Sequence, residues 1–335
     1  MSNTQVLFKS TPNGMPVADN FDIVETPMPE VADGQFLLKN LYLSLDPYQR
    51  MLMGGGWTYA PRFLQPGDLM IGRVLGEIIE SKNPDFPVGT HVVGRLGWQQ
   101  FVTSDGTDLD FVVAPKDGVP LSAYLGACGS TGTTAWVGLK ITGQPKPGET
   151  VLVSAAAGSV GSVVGQLAKA WGCTAVGIAG GPDKCKLVED TFGFDACVDY
   201  KAPDLEGQIR TAAPDGVDIY FDNVGGQVLE ASLANMNKFG RIPVCGVLSA
   251  YNEQGAHYGV KNLHLFFDKS LKMEGFVLNA HKEVWPDARN EIADLIAAGK
   301  LVSLETIAAG IENAPNAFIG MLEGKNVGKQ LVKLA

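Results

Sequence analysis

The chain of 335 residues is short of positive charge, of paired cysteines and of long apolar runs, and each shortage removes a class of function. Lysine and arginine number 26 against 36 aspartates and glutamates, for a formal net charge of −10 at pH 7. A surface of that sign repels nucleic acid and anionic membranes, and no basic stripe overrides it. No nucleic-acid partner is expected, and a bound polyphosphate needs a local exception to the acidic field. No apolar stretch approaches the roughly 20 residues of a membrane helix. The opening MSNTQVLFKS has no basic flank followed by an apolar segment, so it does not read as an export signal. The expectation is a cytoplasmic protein without a membrane partner. The five cysteines, at 128, 173, 185, 197 and 245, include no C-x-x-C pair, and reduced thiols are expected. No internal repeat and no low-complexity segment is present.

What remains is an ordinary globular composition, 45% hydrophobic and 19% charged, in a chain long enough for two domains. Residues 1–122 read as β-rich. Short apolar runs such as QFLLKNLYLSL, GRVLGEIIES and THVVGRLGWQQFVTS are cut by Pro and Gly, as in a small irregular barrel. From about 123 to 296 the pattern changes. VLVSA precedes a helix with Val160, Val163, Val164, Leu167, Ala168 and Trp171 at helical spacing. TAVGIA, ACVDY, VDIYFDNV, GRIPVCGVL and KMEGFVL follow as strands, mostly with helical patterns between them. Strands alternating with helices predict an α/β domain with a doubly wound, six-stranded parallel sheet. Residues 297–335 are too few for a third core and read as a return segment completing the first domain.

One stretch decides the function. Residues 154–173, SAAAGSVGSVVGQLAKAWGC, carry the glycine pattern of a dinucleotide turn, G-x-G-x-x-G, as Ala156-Ala157-Gly158-Ser159-Val160-Gly161. In that pattern the first Gly permits the tight turn, the second lets backbone approach a pyrophosphate, and the third lets helix and strand pack closely. Ala156 replaces the first and gives up only some turn freedom. Small residues also serve plain helix–sheet packing, which is the competing explanation. A preceding strand, a following amphipathic helix and a second strand at the right distance favour the nucleotide, with the helix-start N–H groups facing its phosphates. The second strand ends Ala179-Gly180-Gly181 without the acid that grips an unphosphorylated ribose. That leaves room for a 2′-phosphate, with Lys184 just beyond to pair with it, or else as a solvated helix-start lysine. NADP is the expected cofactor.

With these pieces in place the chain resembles the zinc-independent medium-chain dehydrogenase/reductase superfamily, and within it the prostaglandin reductase and alkenal double-bond reductase family. The resemblance runs over essentially the whole chain. It is carried by LSLDPYQR (43–50), AAAGSVGSVVGQLAK (155–169), GFDACVDYK (193–201), YFDNVGG (220–226), the YN after GVLSA (251–252) and GKNVGKQLV (324–332). It implies a GroES-like barrel for the first domain and a Rossmann domain for the second. It also implies NADPH-dependent reduction of the C=C bond of α,β-unsaturated aldehydes and ketones, and a homodimer. Residue by residue, it assigns Lys184 and Tyr200 to the 2′-phosphate and Asn223, Phe276 and Asn326 to the cofactor lining, beside the turn and Gly180. Tyr48 and Tyr251 match aromatic positions at the substrate pocket. CGSTGTTAW (128–136) departs from the family's usual GMPGLTAY, keeping Thr134-Ala135.

Zinc-bearing relatives need a catalytic Cys, a His-Glu pair and a four-cysteine lobe. The four histidines here, at 91, 257, 264 and 281, are none of them followed by Glu, and IGRVLGEII stands where the pair is expected. No zinc site is expected. Enone reduction then needs a neutral donor at the growing enolate oxygen, which a tyrosine hydroxyl can be. Tyr251, beyond GRIPVCGVL at the carboxyl end of a strand, and Tyr48, in DPY, are the candidate catalytic residues; each is alternatively a ring that only shapes the pocket. The other readings are an NADPH quinone oxidoreductase of the same superfamily and a non-catalytic NADPH-binding protein.

Overall fold

Short apolar runs cut by proline and glycine make one unit of the chain a sheet of brief strands, and alternating strands and helices make the other. The computed structural model describes residues 2–54, 62–252 and 258–334; His257 lies outside the described residues. One unit comprises Met1–Lys116, Pro120–Leu125 and Glu305–Ala335, the other Asp117–Val119 and Gly126–Leu304.

In the first unit β1 (Ser2–Phe8) and β2 (Phe21–Pro27) pair antiparallel over their whole length. The larger sheet is built from β3 (Phe36–Ser44), β4 (Val74–Ser81), β5 (His91–Gly94), β6 (Phe101–Ser104) and β7 (Leu109–Val112), with the short helix α1 (Tyr48–Leu52) after β3. Leu37 is buried on one side of β3, and Phe36 and Leu38 are fully buried on the other. They join a core with Phe8, Leu43, Trp98 and Phe318, in which Trp98 stacks on Phe21 at 5.9 Å and meets Phe318 edge-on at 5.6 Å.

In the second unit α2 (Ser130–Trp136) runs on into a wide π-helical turn, Val137–Gly143, before β8 (Thr150–Ser154). There follow α3 (Gly161–Ala170), β9 (Thr174–Ala179), α4 (Pro182–Asp190), β10 (Ala196–Asp199), α5 (Leu205–Ala212), β11 (Val217–Phe221), α6 (Gly226–Asn235), β12 (Met236–Val244), α7 (His264–Lys269), β13 (Lys272–Gly275) and α8 (Trp285–Ala297). The six strands are parallel in the order β10-β9-β8-β11-β12-β13. This is the doubly wound order, which reverses between β8 and β11. Val163, Val164, Leu167 and Ala168 of α3 are buried as their spacing requires. Trp171 ends that face and donates through Nε1 to Glu291 of α8 at 2.8 Å; the Trp136 indole (2.7 Å) and the Lys140 ammonium (3.0 Å) donate to the same carboxylate. Burial would raise the Glu291 carboxyl, and these three donors outweigh it and hold it below its usual range. Among the described residues no helix is long and apolar enough to cross a membrane.

The chain rejoins the first unit at Glu305 rather than at 297, because the backbone of Val302 is tied to α3: its N–H donates to Gln166 Oε1 at 2.7 Å and its carbonyl accepts from Nε2 at 3.2 Å. β14 (Glu305–Ala309), α9 (Ala314–Leu322) and β15 (Lys329–Lys333) complete the piece, with β15 antiparallel to β3 and parallel to β14. Its anchor is an ion pair in the core. Lys329 Nζ donates to Asp46 Oδ1 and to the Leu45 carbonyl, both at 2.7 Å, and the Ser44 hydroxyl donates to Asp46 Oδ2 at 2.6 Å. The two charged side chains are 3% and 6% exposed. Burial by itself would push the Asp46 carboxyl up; the Lys329 ammonium and the Ser44 hydroxyl outweigh it and hold the group below the usual carboxylate range. Removing one partner of such a pair leaves a buried, uncompensated charge, so Lys329→Met is expected to cost about 3–5 kcal/mol in urea unfolding. Lys329→Met with Asp46→Leu, which removes both charges, should recover part of that loss.

Candidate active site

The sheet reverses its winding between β8 and β11, and ligands of such sheets bind outside the carboxyl ends of the strands at that point. Polar residues stand at the carboxyl ends of both strands there, Ser154 closing β8 and Asp222 and Asn223 following β11. Asn223 donates from its backbone N–H to Ser154 Oγ at 2.9 Å and from Nδ2 to the Ser154 carbonyl at 2.7 Å. Asp222 Oδ1 accepts from the Tyr220 hydroxyl at 2.8 Å and from the N–H groups of Val224 (3.0 Å) and Gly225 (2.8 Å). The turn after β11 is thereby held rigid from inside. Burial raises the Asp222 carboxyl above its ordinary value. Cys245, beyond β12, is pushed up to about 12 by burial and then by the Asp222 charge, so it is no nucleophile at neutral pH.

The turn from β8 into α3 is shaped to receive an anion. The N–H groups of Ser159, Val160 and Gly161 bond to no protein group among the described residues, whereas Gly158 N–H closes the turn on the Ala155 carbonyl at 2.9 Å. Unpartnered amides at a helix start are what a pyrophosphate requires. A Cβ at Gly161 would collide with the Ala155 carbonyl, and one at Gly165 with the Phe194 ring, so α3 approaches the sheet this closely only with glycine. One detail differs from the sequence expectation. The left-handed residue is Ala155, at φ 51°, and not Ala156, whose N–H is committed to the Ile178 carbonyl at 3.0 Å. The chain therefore reverses one residue earlier, with alanine in a backbone region that costs about 1–2 kcal/mol.

At the end of β9 the would-be Cβ of Gly180 lies 2.8 Å from the Tyr200 ring and 3.1 Å from Cε of Lys201. Tyr200 is half exposed. Lys184, on the first turn of α4, is half-buried; burial and then the nearby Lys201 charge hold its ammonium below the ordinary value. Two cations drawn together in a chain of net charge −10 form the local exception that a phosphate needs. Lys201 was not singled out in the sequence, although it follows Tyr200 directly. Ser154 and Asp222 were also missed, and their signal was a polar residue ending a parallel strand.

Tyr251 follows a short turn, Leu248–Ala250, that docks on the 222–225 turn through Leu248 N–H to the Asn223 carbonyl (3.1 Å) and Ser249 to the Val224 carbonyl. Its hydroxyl lies beside Gly246, at the carboxyl end of the sheet. Phe276, just past β13, packs within the unit, edge-on to Phe221 at 6.2 Å and against Gly138 of the π-helical turn. Two residues stand on the first unit instead. Asn326 donates to the Gly328 carbonyl at 3.0 Å in the turn before β15, and Tyr48 opens α1, packed against the core. Among the described residues no three of His, Cys, Asp and Glu gather as a metal site.

A parallel sheet in this order, with unpartnered amides at its switch point, defines a dinucleotide-binding enzyme unit. Family models for the N-terminal domain of oxidoreductase and for zinc-binding dehydrogenase match residues 4–112 and 159–294. The 2-alkenal reductase (NADP(+)-dependent) of Nicotiana tabacum is 40% identical, with 100% of this chain and 98% of that protein covered. Prostaglandin reductase 1 of Mus musculus is 43% identical over 96% of this chain and 95% of its own. The crystal structure of CurA in complex with NADPH from Vibrio vulnificus superposes with a TM-score of 0.92, at 39% identity and 99% coverage of both chains. The chain belongs to the medium-chain dehydrogenase/reductase superfamily, in the family of prostaglandin, alkenal and curcumin reductases.

The arrangement around Lys184 yields a direct expectation. A charge-assisted hydrogen bond contributes roughly 1.5–3 kcal/mol, so Lys184→Ala should weaken NADPH binding about 10–150-fold while NADH binding hardly changes. Isothermal titration with both cofactors checks it, and equal losses would detach Lys184 from the 2′-phosphate.

Proposed function

We propose that the protein is an NADPH-dependent reductase that directs hydride to the β-carbon of α,β-unsaturated aldehydes and ketones, 2-alkenals and enones, and leaves the carbonyl in place. The observation that carries this reading is the switch point of the second unit, where three unpartnered amides of the 158–161 turn stand beside an Asn223 locked onto Ser154. The named activities of relatives about 40% identical support the cofactor and the substrate class.

NADPH, when bound, supplies the hydride. The chain's own residues bind and orient. The amides of Ser159, Val160 and Gly161 take the pyrophosphate, and Gly158 lets the backbone approach it. Lys184, Lys201 and Tyr200, around Gly180, take the 2′-phosphate. Asn223, Phe276 and Asn326 line the cofactor. The hydroxyls of Tyr251 and Tyr48 serve the carbonyl oxygen of the substrate. Addition at the β-carbon spreads the growing charge into an enolate, which neutral hydroxyl donors support, whereas addition at the carbonyl carbon makes an alkoxide that needs stronger polarisation.

A homodimer belongs to the same reading. β13 is the outer strand of its sheet, all four of its residues are exposed, and Phe267 (89% exposed) and Val277 (58%) extend the apolar surface. An open edge of this kind is a template for the same strand of a second copy. A cytoplasmic location also belongs to it, supported by five cysteines of which none is in a disulfide.

Incubation of a 2-alkenal with NADPH should give the saturated aldehyde, identified by mass and NMR. An allylic alcohol as the main product would overturn the reading, and turnover of quinones with enones untouched would favour the quinone reductase. Tyr251→Phe should lower kcat by less than the 10²–10³-fold seen when a lone oxyanion donor is lost, since water can partly replace the hydroxyl. NADPH affinity should stay nearly intact, and unchanged kinetics would make Tyr251 a packing residue.

A further inference from the structure

One carboxylate oxygen ties together the two segments that carry Lys184 and Lys201. Asp199, the last residue of β10, is half-buried, and its Oδ1 accepts from Gly181 N–H at 2.7 Å and from Lys201 N–H at 2.9 Å. Gly181 is the residue before α4, and Lys184 stands on the first turn of that helix. At φ 96° Gly181 occupies backbone space open to glycine; with no side chain to pack, its N–H bond ties the start of α4 to β10. The turn beyond Asp199 is fixed as well. Tyr200 N–H donates to the Ala179 carbonyl at 3.1 Å, and Gln208 of α5 accepts from Asp199 N–H and donates to its carbonyl, both at 3.2 Å. Lys201 leaves this turn with its Cε 3.1 Å from the would-be Cβ of Gly180, and the Tyr200 hydroxyl is 3.0 Å from the same point. The second strand therefore ends in glycine, and the acid stands one strand further on, bonded to backbone N–H groups.

We propose that Asp199 is a positioning residue for cofactor selectivity: it holds the segments of Lys184 and Lys201 together beside Gly180, where one 2′-phosphate meets both, and so favours NADPH over NADH. This rests on the reading that Lys184, Lys201 and Tyr200 take that phosphate. The role is geometric. An acid at the end of the second strand grips ribose hydroxyls and favours NADH, whereas Oδ1 of Asp199 is occupied by the N–H groups of Gly181 and Lys201. The negative charge of Asp199 does nothing for a phosphate, so an uncharged acceptor in its place should serve as well. Two ammonium groups drawn together repel, and a fixed backbone limits how far they relax apart before the anion arrives. An ordering cost met in the folded protein is not met again on binding.

Isothermal titration of the full chain with NADPH and with NADH is the test. Asp199→Ala should weaken NADPH about tenfold, the scale of one charge-assisted hydrogen bond, and leave NADH nearly unchanged. Asp199→Asn, which keeps the acceptor without the charge, should bind NADPH at least as tightly as the wild type. Asp199→Leu, close to Asp in shape but without an acceptor, stands in if Asp199→Ala does not fold. In steady-state reduction of a 2-alkenal, Asp199→Ala should raise KM for NADPH and leave kcat little altered. Equal losses of both cofactors would make Asp199 a merely structural residue and overturn the proposal. A loss confined to NADH would overturn it too, by making Asp199 a ribose ligand, and so would an Asp199→Asn protein as weak as Asp199→Ala. Lys184→Ala and Lys201→Ala separate the two levels of the argument. If both leave NADPH binding intact, the phosphate reading fails and the proposal with it; if they weaken NADPH while Asp199→Ala does not, the proposal alone fails.

Discussion

The buried Lys329–Asp46 pair is the constraint on which the first unit depends. Lys329 belongs to the last strand of the chain and Asp46 to the turn after β3, so one 2.7 Å contact joins residues from opposite ends of the sequence. Two charges removed from water need further hydrogen bonds, and here the Leu45 carbonyl accepts from Lys329 and the Ser44 hydroxyl donates to Asp46. The pair therefore fixes more than β15. It also stands at the entry to α1, whose first residue is Tyr48. A unit built of short strands and irregular connections gains from this arrangement a position for one side chain that hydrophobic burial, which has no direction, could not specify.

The second unit uses the opposite device. Its two central strands, β8 and β11, are mostly apolar and buried, and function begins where they stop. Ser154 ends β8, and Asp222 and Asn223 follow β11; together they tie the turns after these strands to one another before any ligand arrives. Rigidity of that kind lowers the ordering cost of binding a long cofactor. In the turn into α3 three amides bond to no protein group among the described residues, and a Cβ at Gly161 would meet the Ala155 carbonyl.

Charge is handled locally in both units. The chain is acidic, yet Lys184 and Lys201 stand together at one end of the parallel sheet, and Arg73 is held by Asp110 in the other unit. The acidic surroundings discourage loose polyanions, while the paired cations are available to a ligand that delivers its phosphate at one place.

The sequence by itself determined the architecture. Alternation of short apolar runs with helical periodicity is enough to write the parallel sheet, because each strand buried on both faces must be apolar throughout and each crossover helix must present one apolar stripe. The glycine spacing of 158–161 and the neutral end of β9 were legible for the same reason: steric demands act on the residue that bears them. Tertiary structure decided what depends on groups distant along the chain. Lys201 reads as an exposed lysine until β10 pairs with β9 and carries it to Gly180 and Lys184. Arg73 reads as the residue before a strand until the fold brings Asp110 to its guanidinium. The reversal at Ala155 rather than Ala156 came from a hydrogen bond to Ile178, on another strand. Local propensity is written residue by residue, whereas electrostatic partners are chosen by proximity, and proximity exists only after the chain has folded.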